Sequence, residues 1–379
     1  MATLAVDNGD PFDIVFLDFA KAFDKVPVSS LIVKLEALGV KGKLLRWIKN
    51  WLSDRVQRVV LNGEASSWEA VLSGMPQGSI LGPVLFLVHI NDIDLVLKMI
   101  SLLRKFADDT KLGQVVGTAE QTQRLQQALD ALIEWADQWG MEFNIKKCKV
   151  IHMGFNNPRS KYTMRGQALE CTKEERDIGI IISEDLKPSA QVAKAARTAA
   201  AVLAQLTRAF HYRDRHIFVR LYKQYVLPHL EFASVAWSPW TAIDKDTLEK
   251  IQIRAVRLVT GLKGQSYEER LAELDMFSLE ERRHQADMIQ VFKIVNGHDH
   301  VDGTQWFRHV SGELHLTRAA GDSLNLVQSR SRLDLRRHFF SQRVVEHWNR
   351  VPPLIKRAPN TASFKRSYRN FRRQMVLDA

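Results

Sequence analysis

Lys105-Phe106-Ala107-Asp108-Asp109-Thr110 sets two adjacent carboxylates between two apolar runs, and the fold is decided by how this stretch is read. Phe-Ala before the acids and Thr-Lys-Leu after them predict a tight turn between two short strands, with both acids at one end of a sheet. Like charges held side by side repel, and a divalent cation relieves the repulsion. Taken alone, an Asp-Asp turn is also a common solvated loop tip. A third carboxylate, Asp18, closes the apolar stretch Ile14-Val15-Phe16-Leu17 upstream. A strand that delivers an acid at its C-terminal end is a second ligand candidate, and hard cations such as Mg2+ prefer oxygen.

The 379 residues, 45% hydrophobic and 26% charged, suffice for a substantial core and two or three domains. The longest apolar run, residues 80–90, is interrupted by Gly82, Pro83 and His89, short of the roughly 18 residues that cross a bilayer. No membrane partner is expected. Asp7, Asp10 and Asp13 stand where a secretory leader needs a basic and then an apolar stretch. Cys148 and Cys171 supply neither a disulfide framework nor a zinc set. A reducing intracellular compartment, nucleus or cytoplasm, is the simplest fit. The net charge of +11 is uneven: residues 1–186 hold 22 Lys and Arg against 24 Asp and Glu, and residues 187–379 hold 32 against 19. The basic half calls for a polyanion, most commonly nucleic acid, with a plain solvated face as the alternative.

Pro27-Val28-Ser29-Ser30 offers a helix start, and Leu31, Leu35 and Leu38 recur at helical spacing until Gly39. Residues 43–53 form a second helical pattern, with Leu44, Leu45, Ile48, Trp51 and Leu52 on one face. Residues 56–61 and 68–72 have strand character, and Asn62-Gly63 between them is a strong hairpin signal. Ser73-Gly74-Met75-Pro76-Gln77-Gly78-Ser79 then leads into an apolar run. This predicts a loop opening a buried helix, with Gly78 permitting close approach of a backbone or ligand. Such a helix start suits a sugar-phosphate, and is equally an ordinary entry into a helix.

Three of these segments together resemble the first three palm motifs of reverse transcriptases: Leu17-Asp18-Phe19-Ala20-Lys21-Ala22-Phe23-Asp24, Gly74-Met75-Pro76-Gln77-Gly78-Ser79, and Phe106-Ala107-Asp108-Asp109. Their wording is similar to that of non-LTR retrotransposons of the jockey and chicken-repeat-one type. The order of all three, with Asp18 and Asp108 90 positions apart, is specific where each alone is not. The resemblance implies an α+β fold, a polymerase palm (an antiparallel sheet with packed helices) followed by a mostly helical thumb and a basic helical C-terminal tail. It implies an RNA-directed DNA polymerase whose Asp18 and Asp108, assisted by Asp109, bind two Mg2+ (or Mn2+) ions. RNA template, DNA primer or target, and deoxynucleoside triphosphates are the implied partners. Phosphoryl transfer needs cations that activate the 3′-hydroxyl and neutralise the leaving pyrophosphate. Phe19, Phe23, Gln77 and Gly78 fall on the nucleotide-binding positions. Phe23 matches the aromatic that crowds the sugar 2′ position, and a ring can wall a pocket while packing behind it.

Residues 118–139 form an amphipathic helical pattern with Leu125, Leu129, Leu132, Ile133 and Ala136 on one side and Gly140 as its stop. Trp135 and Trp139 fit that helix as core. Phe143-Asn144-Ile145-Lys146-Lys147-Cys148-Lys149 resembles the fourth palm motif, which places Lys147 near the nucleotide, although three close lysines also suit a solvated loop. Arg176-Asp177-Ile178-Gly179-Ile180-Ile181-Ile182 resembles the fifth motif, the primer grip. Ile178, where the family more often has Leu, and Gly179 would then touch nucleic acid; the exchange is conservative in volume.

Residues 189–210, 215–226, 244–258 and 278–295 read as successive amphipathic helices, suited to a thumb. Tyr222, Tyr225, Phe232, Trp237 and Trp240 interleave with Arg213, Arg215, Arg220 and Lys223, as a nucleic-acid grip or as core. Residues 297–312 read as a loop. Residues 330–373 hold 13 Lys and Arg against Asp334 and Glu346, interrupted by Pro352-Pro353. Arg336, Arg337, Arg372 and Arg373 are candidates for phosphate contacts weakened by salt. His298, His300 and His309 form no metal pattern. The expected division is palm 1–186, with fingers largely missing because 17 residues precede Asp18, thumb 187–296, linker 297–329 and basic tail 330–379. Two functions follow: a polymerase, impaired by truncation, or a catalytically inactive nucleic-acid-binding remnant.

Overall fold

Strand β1 (Phe12–Leu17) is buried along nearly its whole length, as a continuous apolar run should be at the centre of a sheet. In the computed structural model, which describes residues 1–97, 100–310 and 324–377, it is joined by β2 (Leu102–Phe106), β3 (Asp109–Val115), β4 (Lys149–Met153) and β5 (Glu170–Cys171). The order is β5-β4-β1-β3-β2. All neighbours run antiparallel except β5 beside β4. The register sets Leu17 opposite Thr110 and Phe106 opposite Asp109.

Helices α1 (Val28–Ala37), α2 (Gly42–Leu52), α3 (Leu81–Ile90) and α4 (Ala119–Trp139) accompany this sheet. Val15, Leu17, Leu31, Leu35, Phe86, Leu129 and Leu132 share one core. Helix α4 begins at a Thr118–Gln121 capping box and ends on Gly140 in the left-handed region at φ 71°, so its limits follow from local chemistry. Trp135 is buried as expected. Lys34 is buried too: its Nζ lies 4.7 Å from the Trp135 ring and 3.9 Å from that of Trp139, 2.6 Å from Asp92 Oδ1. Leu38 and Leu44, expected on the apolar faces of α1 and α2, are exposed instead, because each stands at a helix end where no element covers it.

Beyond α2 the chain makes two short strand pairs, Val56–Gln57 with Glu69–Ala70 and Val60–Leu61 with Glu64–Ala65. Asn62 and Gly63 turn between them with φ 51° and 89°, the two positive values a type I′ hairpin requires. Val59, Val60, Leu61, Trp68 and Leu72 on this arm are exposed. Inside the sheet, fully buried Asp13 accepts hydrogen bonds from His152 Nδ1 (2.8 Å), Asn157 Nδ2 (2.7 Å) and Tyr162 Oη (2.7 Å). A buried carboxylate is tolerated only with such a set of donors.

The chain divides into two compact units, Met1–Glu175 and Arg176–Ala379. The second is helical. Helices α5 (Ser189–Ala209), α6 (Arg215–Leu221), α7 (Ala242–Arg257) and α8 (Tyr267–Glu273) build one core around Leu203, Tyr222 and Leu248. A π-helical turn, Tyr222–Val226, follows α6. Tyr222 and Trp237 are buried, whereas Tyr225 and Phe232 are exposed. A second core joins α9 (Leu279–Val295) to α10 (Thr361–Leu377) through Phe292, Phe364, Tyr368 and the fully buried Trp348. Phe307 and Leu326 belong to that core; of the segment 297–329, residues 311–323 lie outside the described residues. The fold is mixed α+β. Among the described residues no helix is long and apolar enough to cross a membrane.

Candidate active site

Three segments of the first unit converge on residues 17–26. The β1–β3 register that pairs Leu17 with Thr110 carries Asp18, the next residue, to the level of Asp109. Asp108 shares the two-residue turn between β2 and β3 with Ala107, whose φ is 51°. On the other side, the amide of Asn144 donates to the carbonyl of Asp18 (2.7 Å) and that of Ala20 to the carbonyl of Glu142 (2.7 Å). Residues 73–75 close the ring: Gly74 N–H donates to Val26 O, Met75 N–H to Phe23 O and Ser73 Oγ to Asp24 O, each at 2.8 Å.

The last contact requires glycine at position 74. Its φ is 86°, and a Cβ there would stand 2.6 Å from Asp24 O. At Gly78, φ is also positive (77°), but an added Cβ would meet nothing within 4 Å. Of the close approach by a backbone or a ligand expected at Gly78, the backbone part occurs at Gly74 instead, and Gly78 faces open space on the side a ligand would use. Arg55, which carries no signal in the sequence, fastens this loop. Its guanidinium donates to the carbonyls of Leu52 (3.0 Å), Ser73 (3.2 Å) and Gly74 (2.6 Å).

The side chains follow from this frame. Phe19 is buried and stacks on Phe143 with centroids 4.4 Å apart. Half-buried Phe23 stacks on Phe86 at 4.3 Å, so one face packs on the core. Gln77 Nε2 donates to Asp24 Oδ1 (3.0 Å). Lys147 Nζ lies 3.5 Å from Asp18 Oδ2. That oxygen is sealed from solvent and accepts no hydrogen bond from the described residues, so the ion contact leaves its lone pairs unmet.

Residues 12–187 match the family model of reverse transcriptase (RNA-dependent DNA polymerase). They are a reverse transcriptase domain. The chain is a homologue of RNA-directed DNA polymerases of jockey-type mobile elements. It is 26% identical over 268 residues to the jockey polymerase of Drosophila melanogaster and 28% over 259 residues to that of Drosophila funebris, with 68% and 65% of this chain covered. It spans 29% and 28% of the length of those relatives. Among solved structures, a Candida albicans telomerase in complex with a fragment of telomeric RNA aligns with 73% of this chain and 53% of its own. The TM-score is 0.41 and the identity 12%.

Reverse transcriptases as a family use divalent cations. The unmet Asp18 oxygen, level with a neighbouring acid, is a donor of the right kind for one. Among the described residues no set of three or more His, Cys, Asp or Glu is gathered closely enough to hold an ion as the side chains stand. The remaining candidates lie in the second unit. Ile178 and Gly179 both have positive φ (45° and 86°) in the turn before Ile180–Ser183. Lys194 Nζ donates to Gly179 O at 2.9 Å. Arg337 pairs with Asp334 (2.9 Å), Arg372 with Glu281 (2.6 Å), and Arg373 with Asp275. Arg336 lies over the Phe339 ring at 5.2 Å.

Proposed function

We propose that the reverse transcriptase domain is the palm of an RNA-directed DNA polymerase in which Asp18 and Asp108 hold two Mg2+ (or Mn2+) ions, with Asp109 assisting. The buried Asp18 oxygen that accepts no hydrogen bond, at the point where four segments meet, carries this reading. When bound, such ions activate a primer 3′-hydroxyl and neutralise charge on the departing pyrophosphate. Phe23 walls the sugar side of the nucleotide site while its other face stays on Phe86. Asp24 aims Gln77, and Gly78 leaves room for the base pair above it. Lys147 stands where it can trade Asp18 for a phosphate oxygen once cations occupy the carboxylates.

RNA template, DNA primer or target and deoxynucleoside triphosphates are the substrates in this reading. Residues 187–296 serve as a thumb, Ile178 and Gly179 as primer contacts, and the arginines of 330–379 as phosphate contacts. Primer extension on an RNA template by the purified chain, beside Asp108→Asn, tests it. Template-dependent product from the parent alone supports the polymerase. Retention of nucleic acid without product identifies a binding remnant instead.

A further inference from the structure

We propose that the helical unit carries a phosphate-binding pocket centred on Arg283. Helix α9 opens Leu279-Glu280-Glu281-Arg282-Arg283-His284, and successive residues on a helix point about 100° apart. Arg282 turns to Glu231 and pairs with it through two nitrogens. Arg283 turns elsewhere. It is only 4% exposed, and both its Nη1 and Nη2 are buried without a hydrogen-bond partner among the described residues. A guanidinium keeps its charge under all ordinary conditions, and a buried charge left unpaired is among the most costly features a fold can contain.

The carboxylates around Arg283 are all engaged with other donors. Glu231 holds Arg282; Glu249 accepts from Tyr267 Oη and from the Leu279 amide (3.1 Å). Glu280 pairs with Lys245 at 2.5 Å, and Asp287 takes Arg343 at 2.9 and 2.8 Å. The fork of Arg283 is thus kept out of every ion pair its neighbourhood could offer. Arg283 lines a cavity of about 640 Å³, within the range of small-molecule sites. Arg337, Arg343, Arg372 and Lys245 line it too, beside Glu280, Glu281, Asp287 and Glu346, in a half of the chain with 32 basic against 19 acidic residues.

Both nitrogens are sealed from solvent as the side chain stands, so binding requires the fork to turn into the cavity, where its two N–H groups match two oxygens of a tetrahedral phosphate. The ligand class is a phosphate monoester, either free, as inorganic phosphate or a mononucleotide, or as the 5′-phosphate of a nucleic-acid strand. No residue of the Asp18–Asp108 centre takes part, so this pocket and the polymerase reading stand or fall separately.

Thermal melting of the full chain in sodium phosphate, against sodium chloride of equal ionic strength, is the test, with Arg283→Met beside the parent. Phosphate should raise the parent's Tm by about 3 °C or more at saturation. Arg283→Met should melt above the parent in chloride, since it removes an unpaired buried charge, and lose the phosphate-specific rise. Absence of that rise in the parent, or its persistence in Arg283→Met, overturns the proposal. Should Arg283→Met not fold, Arg283→Lys replaces it: a loss of phosphate affinity of about tenfold or more supports the site, and unchanged affinity refutes it. A 5′-phosphorylated RNA oligomer is then compared with its 5′-hydroxyl twin. A preference for the former that vanishes in the variant assigns the pocket to strand ends; equal binding assigns it to free phosphate.

Discussion

Gly74 and Gly78 lie four residues apart in one loop, both with positive φ, yet alanine should be tolerated at one and not the other. At Gly78 the only penalty is the left-handed backbone, about 1 kcal/mol for a residue with a Cβ, since an added methyl meets nothing. Gly74→Ala carries the same penalty and in addition places the methyl 2.6 Å from Asp24 O and 2.7 Å from its Cα. Ordinary contact begins near 3.4 Å, so the backbone must part by roughly 0.8 Å. That movement loosens the bonds from Gly74, Met75 and Ser73 to residues 23–26, each contributing about 1 kcal/mol. The expected loss is about 3–4 kcal/mol for Gly74→Ala against about 1 kcal/mol for Gly78→Ala. In a unit of this size that is roughly 8–12 °C against 2–4 °C in Tm. Differential scanning calorimetry of the two variants decides the matter. Equal shifts, or a larger one for Gly78→Ala, would refute the assignment of the close approach to Gly74.

Asp13→Ala leaves His152, Asn157 and Tyr162 facing an empty acceptor position, and should cost about 3–5 kcal/mol in urea unfolding; a loss below about 1 kcal/mol contradicts the network. Burial, reinforced by nearby Lys34, holds His89 down at about 4 against an ordinary 6.5. The unfolded chain therefore binds the proton first, so the stabilising share of His89 is complete above pH 6.5 and falls away as pH drops towards 4. Between pH 7 and 5 the loss should be about 2 kcal/mol, and His89→Leu should flatten that slope in urea titrations. Arg372→Ala breaks a two-nitrogen pair with half-buried Glu281 and should lower stability by about 2 kcal/mol. Arg337→Ala, whose Asp334 partner is solvent-exposed, should change it by under about 0.5 kcal/mol; similar losses from both would undo this distinction.

Short-range chemistry made much of this legible in advance. The Asn62-Gly63 turn, the Thr118 start and Gly140 stop of α4, and the turn at Asp108 each depend on residues within a few positions of one another. Placing Asp18 level with Asp109 needed only a hairpin and one antiparallel neighbour. What escaped depends on distant partners. The choice of Gly74 is made by Asp24, fifty positions earlier, and Arg55 reaches three carbonyls that no periodicity marks. The helical spacing of residues 215–226 also hid the π-turn at Tyr222–Val226. Pro228, two residues after that turn, has no N–H to donate and leaves the ladder one bond short. Nor does an Arg-Arg pair on a helix announce that one member is bound and the other buried alone.

The arm of residues 56–72 has a practical consequence. Its outer strand edges and bare valine, leucine and tryptophan side chains are the ingredients from which intermolecular sheets grow. Isolated protein should therefore self-associate as it is concentrated, and Val59→Lys should keep it dispersed without touching the Asp18–Asp108 region.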